Sequence, residues 1–419
     1  MDTKKRLYAN FLLNRCLSMN AGEPLLLSYN VEQKDFVNIV KEEALKLGIK
    51  KIYEVVLDGD KTRDILLNSS LEEIEKNPYF NRKVIKDVYD LGGSLLSLAS
   101  YTKPKLDDVS TEKKQLINKI NIDTQEDAIE ARGKYKYPWC IAAVATKDWA
   151  DELFPGEENN VEKLWNLIFD ITLVNTLNPI FSWNEKIKQN TKRRNYLNDL
   201  KLSKLKYTNN LGTDLEVTLP NDVIWWGAAK KSFDGKKDLI VNMPTEEVYT
   251  SPCKNKTNGV VYSSRPLVVK GKVIDKFKLT FKDGKVIDTW ASNDEDKLIE
   301  LLDEFEGMRC LGECALVDYS SEISKTNMIF KSTLIDENAS CHLALGRGFP
   351  KTIPNGEYMD SNELLKSGIN QSKNHVDFMI GTKDLSIIGT DIYGNSVPIF
   401  VDGDFCEEKI QSFLKKRNN

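Results

Sequence analysis

The chain has 419 residues, 41% of them hydrophobic, which is enough apolar material for more than one packed core, so two domains are expected. Its 59 basic and 63 acidic side chains leave a net charge of -4 with no basic stripe, which argues against a nucleic-acid partner; the short run Lys192-Arg193-Arg194 reads as solvated surface. Seven cysteines (16, 140, 253, 310, 314, 341 and 406) form no C-x-x-C pair, which argues against a zinc ribbon and for reduced thiols packed as small hydrophobes.

The N-terminal segment starts basic, is interrupted by Asn and Arg and lacks a small-residue cleavage site. It reads as an amphipathic helix with Leu7, Phe11 and Leu12 on one side, not as a signal peptide. No apolar run approaches the ~20 residues needed to cross a bilayer, so a cytoplasmic protein without a membrane partner is expected. Residues 25–29 form a short apolar run suited to a strand buried on both faces. Residues 32–47 have helical period, with Phe36, Ile39, Val40, Ala44 and Leu47 aligned and Gly48 placed as a C-terminal cap. Residues 52–57 form a second strand, completing a βαβ unit with an expected right-handed crossover. Further strands are expected at 94–99 and 139–145, the latter running into a helix at Lys147 that stops near Pro155-Gly156. No G-x-G-x-x-G follows these strands, so the N-terminal domain, residues 1–185, is expected to be α/β: a doubly wound, largely parallel sheet without a nucleotide site.

After a helical, basic stretch at 183–200 the period changes to two. Leu205 and Tyr207, then Leu215, Val217 and Leu219, alternate about a turn at 209–213. Phe277, Leu279 and Phe281 alternate before Asp283-Gly284, a hairpin signal. One helix, 295–305, aligns Leu298, Leu301, Leu302 and Phe305. Residues 186–419 are therefore expected to form an α+β, largely antiparallel domain, with the boundary placed to within about ten residues.

Histidine is scarce, and both copies, His342 and His375, lie in the C-terminal fifth of the chain. Asp377 follows His375 by two positions; on a strand such residues share a face roughly 6–7 Å apart, which suits two side chains converging on one cation. A surface His-Asp pair is the bland alternative. Glu337 precedes His342 by five residues, about 140° apart on a straight helix after full turns are removed, so shared ligation needs a loop or helix end between them. Glu313 abuts the apolar run Cys314-Ala315-Leu316-Val317, where a carboxylate is costly to bury without a partner. Glu246 and Glu247 point to opposite sides if their segment is extended, so one of them can enter a given site.

Taken together, six blocks resemble the aminopeptidase T and aminopeptidase S family of two-metal exopeptidases. They are Pro138 to Ala143, Gly212-Thr213-Asp214-Leu215, Asn242 to Val248 with the core Pro244-Thr245-Glu246-Glu247, Leu311-Gly312-Glu313, Asp336 to Gly346, and His375 to Gly381. Carried over by position, the resemblance implies that Glu247, Glu313, His342, His375 and Asp377 are metal ligands, with Glu313 bridging and Glu337 a further candidate ligand. Glu246 and Glu337 are the candidates to relay the proton. The implied cofactors are two divalent cations; the oxygen-rich set with two imidazoles suits zinc, cobalt or manganese more clearly than magnesium. The implied substrate is a small peptide, and the implied assembly a homodimer. One position departs: where the family has a tyrosine seven residues after the first histidine, this chain has Phe349. Phenylalanine offers no hydroxyl to an ion or a developing oxyanion, so Tyr319, a water or another group must substitute, or activity is weakened. The alternatives are a weakly active or inactive metal-binding relative, a two-metal hydrolase of another amide or ester, and a nucleotide- or sugar-binding module on the N-terminal sheet.

Overall fold

Short apolar runs separated by helical segments dictate parallel strands, because a parallel pair needs a long crossover between its members. In the computed structural model, which describes residues 1–102, 105–133, 135–227, 229–269 and 272–418, this alternation builds a five-stranded sheet. Its order is Ile52–Leu57, Leu25–Asn30, Ser94–Ala99, Trp139–Ala143 and Asn242–Met243, every neighbouring pair parallel. Helix Lys34–Lys46 makes the first crossover and buries Phe36, Val37, Val40 and Ala44. It is entered through a 3-10 turn, Val31–Gln33, in which Asn30 and Gln33 cap each other's backbone N–H groups. Gly48 takes the expected left-handed conformation at φ +80°.

The N-terminal helix, Asp2–Phe11, buries Tyr8, Ala9 and Phe11, and Leu12 follows inward. Leu7, expected on that side, is 41% exposed: positions 8, 11 and 12 satisfy the i, i+3, i+4 stripe and turn residue 7 outward. Tyr8 packs on Phe36 and Phe169, and its hydroxyl donates to the carbonyl of Ala143 at 3.1 Å.

By its contacts the chain divides into two compact units, Met1–Asn184 with Ala229–Pro244, and Glu185–Ala228 with Thr245–Asn419. The expected boundary near residue 185 is a single cut, whereas the stretch Ala229–Pro244 returns to the first unit and supplies its fifth strand.

In the second unit the period-two segments form an eight-stranded antiparallel sheet. Its order is Lys285–Ala291, Phe277–Lys282, Thr257–Tyr262, Asp214–Thr218, Leu202–Thr208, Ser386–Asp391, Ser396–Val401 and Asp404–Phe405. Leu205, Tyr207, Leu215, Val217, Phe277, Leu279 and Phe281 face one core. Asp283 and Gly284, at φ +48° and +82°, make the turn that the Asp-Gly pair signals. Helix Glu295–Leu302 is shorter than expected, and Phe305 packs on the same core from beyond its end. A second antiparallel sheet of four strands carries the histidines. The seven cysteines are unpaired, and among the described residues no helix is long and apolar enough to cross a membrane.

Edge strand Ile52–Leu57 is fastened to the first crossover helix through Glu54, whose carboxylate accepts from Lys41 Nζ at 2.5 Å, Lys34 Nζ at 3.3 Å and the Tyr29 hydroxyl. Burial raises this carboxyl, but the Lys41 and Tyr29 bonds outweigh it and hold it at about 2. A folded pKa below the unfolded value contributes stability above the unfolded pKa and loses it as pH falls through the folded one. Glu54→Gln is thus expected to cost about 1–2 kcal/mol at pH 7, after allowance for solvent screening, with the difference from the parent shrinking between roughly pH 5 and pH 2. Urea denaturation across that range checks it.

Candidate metal centre

The four-stranded sheet runs in the order Val248–Thr250, Leu311–Leu316, His342–Gly346, His375–Met379, each pair antiparallel. In its register Glu313 pairs with Ala344 and Ala344 with Asp377, while His375 pairs with Gly346 and His342 with Ala315. Residues two apart on a strand share a face, so Glu313, His342, His375 and Asp377 all rise from the same side. Ala344 and Gly346 are small where the long side chains of the next strand need room. Glu247, just before the edge strand, joins this side.

The donor atoms converge in two groups, each within 4.8 Å: Glu247, Glu313 and His342 in one, Glu313, His375 and Asp377 in the other. Glu313 belongs to both. His375 Nε2 lies 3.1 Å from Glu313 Oε2 and 3.1 Å from Asp377 Oδ1, and His342 Nε2 lies 3.3 Å from Glu247 Oε2. Each imidazole is oriented by a backbone carbonyl: His375 Nδ1 donates to Arg347 O at 2.6 Å, and His342 Nδ1 to Ser340 O at 3.2 Å. A carbonyl can only accept, so both Nδ1 atoms carry the proton and both Nε2 atoms are left for the centre.

Glu337 lies five residues before His342 on a 3-10 turn, Glu337–Ala339, which supplies the break between them that a straight helix forbids. Its carboxyl interacts with Asp377, Glu247, His342 and Glu313, although it is a member of neither tight group among the described residues. Glu246 takes the other side of its segment. Its carboxylate is engaged by Lys186, its N–H donates to Asn338 Oδ1 at 2.7 Å, and its carbonyl accepts from Asn190 Nδ2 at 3.2 Å.

The electrostatics follow from crowding. Burial, reinforced by the charges of Glu247 and Asp377, pushes the Glu313 carboxyl up to about 7 against the opposing bond from His375. Burial together with Asp377 and Glu247 lifts Glu337 well above the carboxylate range. Burial disfavours charge on His342, yet its bond to Glu247 and the charge of Asp377 raise it to about 10; His375 is raised in the same way by Asp377 and Glu313. Four carboxylates surround two imidazoles in a buried place, and they raise both imidazoles because that place favours positive charge. A divalent cation meets the same demand, and the mixed oxygen and nitrogen donors suit one.

The sequence model of the thermophilic metalloproteases (M29) matches residues 1–405. The chain belongs to this family. As an M29 member it is a metal-dependent hydrolase of peptide bonds. It is similar to Aminopeptidase AmpS of Bacillus subtilis (strain 168), 33% identical over 408 residues that cover 96% of this chain and 98% of that protein. It is also similar to Aminopeptidase PepS of Streptococcus thermophilus, 34% identical with coverage of 95% and 97%. Among solved structures, wild-type AmpT from Thermus thermophilus superposes with a TM-score of 0.88 at 30% identity, covering 96% of this chain and 99% of that one.

Several residues that support this donor cluster carry no local sequence signal. Asn338 joins the Glu246 backbone to Glu337 Oε1, to which its amide donates at 3.3 Å. Asn370 Nδ2 donates to Gly346 O at 2.6 Å and fixes the end of the His342 strand. The aromatic neighbours of Phe349 are His375 and Tyr249, each with its ring centroid at 5.1 Å, whereas Tyr319 is 39% exposed. Gly312 sits at the bulge before Glu313, where a Cβ would meet Arg347 O at 2.4 Å and Gly346 O at 2.5 Å. Because Arg347 O orients His375, Gly312→Ala is expected to push that carbonyl away, costing about 1–3 kcal/mol of stability and about 10–100-fold in metal affinity. Thermal melts and zinc titration of the metal-free protein measure the two effects separately.

Proposed function

We propose that this M29 chain is a metalloaminopeptidase that releases N-terminal amino acids from small peptides at a paired-cation centre. The observation that carries the reading is the membership of Glu313 in both donor groups, which fits a bridging carboxylate between two ions. Glu247 and His342 would hold one ion and His375 and Asp377 the other, with zinc, cobalt or manganese the best-suited metals. The names of the aminopeptidase relatives support the exopeptidase activity. The reading includes a cytoplasmic homodimer, as the family resemblance implies.

What bound cations supply there is Lewis acidity towards the scissile carbonyl and an acidified water. The chain's own residues do the rest. Both imidazoles are held by Nδ1–H bonds to backbone carbonyls and keep Nε2 directed inward. The acidic face attracts a free α-amine and has no counterpart for an acetylated one. Glu337, outside both donor groups, is the proton carrier: cations held by Glu247, Glu313, His342, His375 and Asp377 would offset the negative charge that otherwise keeps its carboxyl protonated, and as the water oxygen bonds to the carbonyl carbon, the water's proton would pass to the Glu337 carboxylate. The same proton then goes to the departing nitrogen as the C–N bond breaks. Glu246 is committed to Lys186 and takes no part in this relay.

The purified protein is expected to bind divalent metal and to cleave unblocked but not N-acetylated dipeptides. Chelation should abolish turnover, and zinc or cobalt should restore it. Failure to bind metal, or equal cleavage of acetylated substrates, would defeat the reading. Glu337→Gln should retain metal in an equilibrium titration while lowering kcat by about 10²–10⁴-fold. Glu313→Gln should lower the metal stoichiometry itself.

A further inference from the structure

Phe349 leaves the donor face without the hydroxyl that the family resemblance expects there, yet a phenol stands next to it. Tyr249 is the central residue of edge strand Val248–Thr250 and pairs with Ala315, which in turn pairs with His342. That row places Tyr249 on the same side of the sheet as His342, and the two-residue period places it on the side of Glu247. Its opposite neighbour, Ala315, is small. Its backbone is fixed on the outer edge by paired bonds with Trp226, Tyr249 N to Trp226 O and Trp226 N to Tyr249 O, both 2.9 Å. Its ring meets Phe349 edge-on at a centroid distance of 5.1 Å and an interplanar angle of 60°, and Phe349 lies 5.1 Å from the His375 ring. Phe349 is itself held next to that strand, its N–H donating at 2.8 Å to Oγ of Ser251, the residue after the strand's end. Tyr249 is 6% exposed, so its ring is packed beside Phe349 and is not a solvated side chain.

We propose that Tyr249 is a catalytic residue of this chain, its hydroxyl donating a hydrogen bond to the substrate's carbonyl oxygen as that oxygen gains negative charge. The inference rests on the metal-centre reading of the donor groups. No bond to Tyr249 forms or breaks: its O–H stays intact, and the proton of the attacking water travels through Glu337 as above. A donor fixed where charge develops acts on the transition state more than on the ground state, so its loss should fall on kcat. Phe349 then serves as the apolar spacer between the phenol and His375.

The test compares Tyr249→Phe, Phe349→Tyr and the double variant. Tyr249→Phe is expected to lower kcat by about 10²–10³-fold, the usual effect of removing one such donor, with KM changed less than threefold. Zinc titration of the metal-free protein should be unchanged, and calorimetric binding of a dipeptide phosphinate, a tetrahedral mimic, should weaken by a similar factor to kcat. Adding Phe349→Tyr to Tyr249→Phe should recover at least tenfold, which also shows that the single variant is folded. Retention of kcat and phosphinate affinity within threefold in Tyr249→Phe, with zinc binding intact, overturns the role of Tyr249 alone. A tenfold gain from Phe349→Tyr in the otherwise parental chain overturns it as well, since the site would then lack a donor. Absence of zinc binding in the parental protein overturns the centre itself and the assignment with it.

Discussion

The structure depends on confining negative charge to one face of a buried sheet. Along strands Leu311–Leu316, His342–Gly346 and His375–Met379 the residues alternate between two environments. Glu313, His342, His375 and Asp377 point one way; Cys314, Leu343 and Phe378, which form a cross-strand row, point into the apolar core of the second unit. Because that core face is dry and packed, the acidic face has a rigid base, and its carboxylates cannot move apart to relieve their repulsion. Something positive has to enter, and the upward pull of the neighbouring carboxylates on both imidazoles is another expression of that requirement.

The same alternation explains what could be read from the sequence. His375 and Asp377 are two apart on a strand, so their convergence needs local geometry alone. Glu313 announces itself because a carboxylate in a strand whose every residue is buried must have a partner. The parallel strands of the first unit, and the Asp-Gly hairpin of the second, follow from period and turn chemistry in the same local way. Local rules end where a distant partner decides. Which of Glu246 and Glu247 turns toward the histidines is settled by Lys186, 60 positions earlier, and by Asn338, 92 positions later. The return of residues 229–244 to the first unit hangs on a two-residue strand, too short to carry any period. Leu7 faces outward for a smaller reason: a helical stripe of Tyr8, Phe11 and Leu12 fits the pattern as well as one that begins a residue earlier, and the larger Tyr8 takes the interior.

The parts of the centre that sequence could not disclose are mainly backbone. Arg347 O and Ser340 O set the tautomers of His375 and His342, and a carbonyl is present at every position whatever the side chain. Their placement is nevertheless specified, one step further away, by residues chosen for what they lack or for what they tie down. Gly312 leaves the gap that lets Gly346 O and Arg347 O approach the bulge, and Asn370 pins Gly346 O from the other side. A bulge adds a residue to one strand and re-aims the side chain beside it, which here is Glu313, the carboxylate common to both donor groups. The place of Glu313 in both donor groups and the orientation of His375 are therefore set by one irregularity. An ideal register through residue 312 would alter both together, so the strand is irregular where the chemistry is densest.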